Sequence, residues 1–277
     1  MKFHLHLVSD ATGETIHSVA RACLSQFEGV EPIEHNWALV RTHSQIRKIV
    51  AAAEKNPGVV MFTLVNEELR EALIDGCRKL QIPCIDVLDP VIASLGNFLG
   101  IKARGMPGRQ HIMDAEYFGR IDAMTFALHH DDGQAVQGLQ DAEIILVGVS
   151  RTSKTPTCIY LANRGIKSAN IPIVPGVPLP EELTKFRNRP GEPMVVGLTK
   201  DPARLIQVRR NRLQMLSQDS NTDYVDIEAV REEVANARRL CSRYNWPVID
   251  VTRRSIEESA AAILQLYERR GTDNSGK

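Results

Sequence analysis

The sequence predicts an α/β protein built as two α/β halves with mainly parallel sheets. Short β-rich runs alternate with helical patterns of ten or more residues, which is the rhythm of βαβ units. One run, VVMFTLV at 59–65, is apolar almost throughout, as a strand covered on both faces should be. A second set of such runs follows after a glycine- and proline-bearing break, so the rhythm occurs twice.

In order, residues 3–8 (FHLHLV) read as a strand, and SDATGE at 9–14 as a turn into a helix reaching about residue 27. A second strand is expected at 37–41, then a helix at 44–55, the strand at 59–65, a helix at 67–80 and a strand at 83–88. IKARGMPGRQH at 101–111 carries two glycines, a proline and three basic residues and reads as a loop. The rhythm resumes at Ile121, with strands expected at 143–147, 171–174, 194–198 and 247–251. These readings give an N-terminal α/β domain at 1–110 and a C-terminal one at 111–277, with the boundary somewhere between about 101 and 141.

The chain has 277 residues, with 34 basic against 34 acidic groups. That length needs no disulfide or metal staple to build a core. A net charge of zero argues against a bulk nucleic-acid or membrane binder. Five scattered cysteines, odd in number and never spaced C-x-x-C, fit a reducing compartment. The N-terminus lacks an apolar signal core, and the most apolar stretch, 81–101, is broken by Asp86, Asp89 and Pro90. A cytoplasmic protein is expected, with no nucleic-acid or membrane partner.

The most informative segment is EIILVGVSRTSKTP at 143–156. Gly148, Val149, Ser150, Arg151, Thr152, Ser153, Lys154 and Thr155 lie between a buried-type strand and a helix whose first turn holds Pro156. This is the context in which backbone N–H groups wrap a phosphate and a lysine reaches the terminal phosphate. The C-terminal half is therefore expected to be a P-loop-type, kinase-like unit. Ser153 stands where the motif has a glycine, whose task is to tolerate positive φ and let backbone approach phosphate. The bland alternative is an ordinary strand-to-helix turn.

Other segments are weaker. Ser9, Thr12 and Gly13 can hold an anion or simply cap a helix. His4 and His6 share one strand face, which a metal hydrolase exploits, but no carboxylate-rich motif accompanies them, and a structural role is the reading. Asp131 and Asp132, in HHDDG, are either a turn or a carboxylate pair able to bind a metal or take a hydroxyl proton. Arg204, Arg209 and Arg210 form a basic cluster after the strand at 194–198, fit for phosphate or an acidic partner as well as for plain solvation.

The strings VSDATGET (8–15), ALHHDDG (127–133), ILVGVSRTSKTPT (145–157), ANIPIVPG (169–176) and GLTKDPARL (197–205) together resemble the bifunctional regulatory proteins of pyruvate, phosphate dikinase and of phosphoenolpyruvate synthetase. The resemblance implies a serine/threonine protein kinase that uses ADP to phosphorylate and inactivate a threonine of its partner. It also implies removal of that phosphate by phosphorolysis, with inorganic phosphate as acceptor and pyrophosphate as product. The dikinase is the nearer partner, mostly through DAEYFGRIDAMTFALHHDDG, and the synthetase the alternative. In that setting the loop would cradle ADP, with Lys154 on the β-phosphoryl and Thr155 a candidate Mg²⁺ ligand. Asp131 or Asp132 would move the threonine proton. A P-loop small-molecule kinase and a non-catalytic nucleotide sensor are the competing readings. Oligomeric state is open, with a homodimer the first candidate.

Overall fold

The apolar runs become the inner strands of two separate four-stranded sheets, each entirely parallel. The structure, a computed structural model, describes residues 1–107, 115–215 and 223–272. The chain divides into two units, Met1–Ile112 and Met113–Lys277.

In the first unit, β1 (Lys2–Ser9), β2 (Glu31–Trp37), β3 (Gly58–Thr63) and β4 (Cys84–Asp86) lie in the order β2-β1-β3-β4. Helices α1 (Glu14–Leu24), α2 (His43–Lys55), α3 (Glu67–Lys79) and α4 (Asp89–Leu99) connect or follow them. Thr42 and Asn66 cap α2 and α3 by accepting the N–H of Gln45 and Leu69. β2 lies at 31–37 and not at the expected 37–41. It is an edge strand, so the missing N–H of Pro32 and the polar string EPIEHN are tolerated there. The apolar residues that suggested a strand form a turn instead. Leu39 sits at φ 54°, and the N–H of buried Val40 bonds the Ser9 carbonyl at 3.0 Å. The expected loop has neither helix nor strand over 101–107, and its remainder, 108–111, lies outside the described residues.

In the second unit, α5 (Ala115–His129) precedes β5 (Ile144–Gly148), α6 (Lys154–Ala162) and β6 (Ser168–Pro172). Then come α7 (Glu181–Lys185), β7 (Met194–Thr199), α8 (Pro202–Met215), α9 (Ile227–Arg243), β8 (Val248–Asp250) and α10 (Ile256–Thr272). The strand order is β6-β5-β7-β8. Because β5 is covered on both faces, its alternate side chains feed two cores. Ile145 and Val147 pack with Leu205, Val230 and Trp246, whereas Ile144 and Leu146 pack with Leu161 and Ile263. Each such burial stabilises the fold by about 1.5–3 kcal/mol. Residues 171–174 were expected as a strand, but β6 begins at Ser168 and so brings the polar Asn170, 1% exposed, into the sheet. From β5 the chain goes to β6 on one side, and the next crossover leads to β7 on the other. The carboxyl ends of β5 and β7 therefore flank the point where parallel sheets open a crevice. No helix among the described residues is long and apolar enough to cross a membrane.

Candidate functional site

The loop between β5 and α6 begins on a glycine that nothing else can replace. Gly148 sits at φ 154°, and a Cβ there would stand 2.4 Å from the Leu198 carbonyl oxygen of β7. Arg151 at φ 73° and Ser153 at φ 65° are also left-handed, so the chain curls back on itself before entering α6. Ser153 thus takes up the conformation expected of a glycine, at a cost of about 1–2 kcal/mol for a residue with a Cβ. Thr152 ties the curl internally, its hydroxyl donating to the Val149 carbonyl at 2.9 Å. No side chain caps α6, and the N–H groups of Lys154 and Thr155 have no intrahelical acceptor. They are donors, at the positive end of the helix dipole, for an anion.

Lys154 is 5% exposed, and its Nζ donates to the Val149 carbonyl at 3.1 Å. Burial lowers its pKa to about 8, against the pull of Asp132, Cys158, Asp131 and Glu233. A second lysine, Lys200, follows β7 at the adjacent strand end. It is 8% exposed, its Nζ donates to the Arg151 carbonyl at 3.3 Å, and burial with Arg204 and Arg151 lowers its pKa. Both lysines, with Arg151 and Asp132, line a cleft of about 350 Å³.

The acidic turn is both a turn and part of this cleft. Asn170 of β6 donates its N–H to the His130 carbonyl and accepts from the N–H of Gly133, each at 2.9 Å, which docks the turn on the sheet edge. Its side-chain amide nitrogen lies 2.5 Å from Asp131, 3.2 Å from Asp132 and 2.9 Å from the Thr155 hydroxyl. Thr155 in turn donates to Asp131 at 2.9 Å. The two aspartates are thereby separated in role: Asp131 is half-buried and held, whereas Asp132, at φ 48°, is exposed at the cleft.

The three arginines of the basic cluster also part company. Arg204 and Arg210 are exposed, but Arg209 is 1% exposed. Its guanidinium grips Glu233 through bonds of 2.8 and 2.9 Å, donates to the carbonyls of Tyr224 at 3.0 Å and Ser150 at 3.2 Å, and stands 4.4 Å from the Tyr224 ring centre. From sequence it is expected to contact a partner or phosphate; the bonds it makes here lie inside the unit, where it braces the loop.

In the first unit, the turn after β1 is organised around Asp10, 3% exposed, which accepts the Val65 N–H at 2.7 Å and whose pKa is raised by burial. Ser9 accepts from Ala11, and Gly13 supplies φ 90° at the start of α1. His4 bonds His35 at 2.9 Å, and His6 stacks on His35 while bonding the Asn56 carbonyl. Among the described residues no three His, Cys, Asp or Glu side chains are grouped to hold a metal ion. Both histidines thus make their contacts within the first unit.

Sequence reasoning missed Asn170 and Lys200. An asparagine inside a strand string, ANIP, was the available signal for the first, since strands are depleted in asparagine. The lysine one residue beyond a strand end was the signal for the second.

A buried lysine at a strand–loop–helix turn, on the switch point of a parallel sheet, is the arrangement of α/β phosphotransferases. The chain belongs to the kinase/pyrophosphorylase family, whose model matches residues 5–264. A relative from Paramagnetospirillum magneticum is 61% identical over 96% of this chain and 85% of its own length. One from Caulobacter vibrioides is 53% identical over 95% and 82%, and one from Rhodospirillum rubrum 51% identical over 95% and 94%. All three are named pyruvate, phosphate dikinase regulatory protein. Among solved structures, a solute binding protein of an ABC transporter from Agrobacterium vitis overlaps 90% of this chain and 92% of its own at 12% identity, with a TM-score of 0.23.

Proposed function

We propose that this protein regulates pyruvate, phosphate dikinase by reversible phosphorylation of a threonine. In the inactivating direction the threonine oxygen attacks the β-phosphorus of ADP, the bond to the bridging oxygen breaks, and AMP leaves. In the activating direction an oxygen of inorganic phosphate attacks the phosphothreonine phosphorus, the threonine oxygen leaves with a proton, and pyrophosphate is formed. The names of the relatives supply the partner. The observation that carries the chemistry is the single cleft in which Lys154, Lys200 and the bare N-terminus of α6 face Asp132.

The loop holds the phosphates, and Lys154 and Lys200 offset the charge that builds on the transferred group. Asp132 takes the threonine proton in one direction and returns it in the other, since it is the aspartate left accessible. Asp131 and Thr155, two hard oxygen donors 2.9 Å apart, would hold a Mg²⁺ that completes its shell with phosphate and water, as such ions prefer. When bound, that ion would offset phosphate charge.

The test is transfer from β-labelled ADP to purified dikinase and to phosphoenolpyruvate synthetase side by side. Label on a threonine of the dikinase, lost in Lys154→Ala and Asp132→Asn, is the expected result. Label on the synthetase alone moves the partner, and label on a small metabolite replaces the protein-kinase reading.

A further inference from the structure

Two hollows of the C-terminal unit meet at Ser150. One is the loop cleft. The other is a recess of about 610 Å³ between the chain that follows β6, Tyr224 and the first turns of α9. Its walls are mostly apolar, made by Ile173, Val174, Pro175 and Ala229 with the Tyr224 ring. Ala229, Glu232, Glu233 and Asn236 recur at helical spacing, so one face of α9 forms its floor. Asn236 is half-buried and its side chain lines the recess.

The recess is braced to the loop. Arg209 bonds the Ser150 carbonyl, the Tyr224 carbonyl and both oxygens of Glu233, while the Ser150 and Tyr224 hydroxyls lie 3.1 Å apart. Whatever fills the recess therefore meets walls already fixed relative to the phosphate loop.

We infer that this recess takes the purine base of the nucleotide whose phosphates lie on the loop, and that Asn236 reads the base edge. The inference rests on the nucleotide reading above. A hollow of this size, largely apolar with a few polar groups, is of the kind that holds a small organic ligand. A flat heterocycle gains from apolar walls and an aromatic ring. An asparagine amide offers one donor and one acceptor, the complement of adenine N7 and N6, whereas guanine presents two acceptors on the same edge. The loop cleft has no aromatic ring in its lining, and the hollow beside Arg204, Arg253, Arg254 and Asp250 is lined by charge. Neither matches a base as well.

The test measures binding of ADP, GDP and pyrophosphate to the full-length protein by calorimetry, with photolabelling by 8-azido-ADP. Asn236→Ala should weaken ADP about tenfold and narrow the gap between ADP and GDP, since a paired amide gives discrimination of that order. Ala229→Trp should block ADP by filling the recess. Both variants should bind pyrophosphate like the parent, which also shows that they are folded. The azido label should fall within residues 173–176 or 224–236. Unchanged ADP affinity in Asn236→Ala and Ala229→Trp overturns the assignment, and so does label on any other segment. If the parent binds pyrophosphate but not ADP, the recess assignment fails while the phosphate loop stands. If it binds neither, the nucleotide reading itself has failed.

Discussion

Thr155 donates its hydroxyl hydrogen to Asp131 at 2.9 Å and so fastens the first turn of α6 to the acidic turn before β5. The Asn170 amide lies against both groups from the neighbouring strand. Three segments far apart in sequence thus share one polar knot. Asn170→Leu should cost about 1.5–3 kcal/mol by denaturant unfolding, because it strands charged or polar partners in a part-buried site. It should also release Asp132 from its place at the cleft, lowering phosphoryl transfer more than substrate binding. A variant as stable and active as the parent would show the knot to be idle.

Positive φ at Ser153 makes a second prediction. Ser153→Gly removes left-handed strain worth about 1–2 kcal/mol and adds back part of it as unfolded-chain entropy, about 0.5–1 kcal/mol. A small rise in melting temperature is expected, with anion binding kept. Gly148→Ala should do the opposite and strongly, since its Cβ meets a backbone oxygen at 2.4 Å with no flexible side chain to yield.

The burial of Lys154 sets a pH dependence. With its pKa lowered to about 8 in the free protein, the ammonium is present below pH 8 and lost above it. Pyrophosphate affinity, measured from pH 6 to 10 in the parent and in Lys154→Arg, should fall above pH 8 in the parent relative to the variant, by up to about tenfold per pH unit. Lys154→Arg keeps its charge over that range, so the ratio of the two affinities cancels the titration of Lys200 and of the ligand itself. Stability moves the other way. Between pH 8 and the unfolded lysine pKa near 10.5 the unfolded chain binds more protons than the folded one. The parent should therefore gain stability over that window relative to Lys154→Met, by no more than about 3 kcal/mol.

Arg209 and Glu233 form a buried pair, with side chains 1% and 12% exposed. Removing one partner leaves the other uncompensated, so Glu233→Gln and Arg209→Met should each lower stability by roughly 3–5 kcal/mol. The double substitution should cost clearly less than the two losses added, as coupled neighbours do. Simple additivity in thermal unfolding would mean that the pair does not act as a unit.

How far the sequence could be read depended on whether the information was local. The runs of β3, β5 and β7 were legible because strands covered on both faces must be apolar throughout. β2 was misplaced because an edge strand lacks that demand, and its polar string with Pro32 looked like a loop. The strand–loop–helix turn of the second unit was legible because Gly148 through Thr155 are consecutive and bring their own strand and helix. Asn170, Lys200 and Tyr224 reach the loop only through sheet order and helix packing, which no spacing encodes. Arg209 was grouped with Arg204 and Arg210 because helix position alone does not reveal a glutamate 24 residues onward that draws one of them inside.

The depth of Lys154 has a consequence for how the protein responds to its medium. Mobile ions weaken charges that water can reach, over about 8 Å at physiological ionic strength, and act much less on a charge enclosed by protein. Exposed Arg204 and Arg210 exert a pull that added salt erodes, whereas the charge of Lys154, 5% exposed, is screened far less. With 34 charges of each sign the molecule projects little net field, so long-range steering of a charged ligand is weak and short-range contact decides binding under the proposed function.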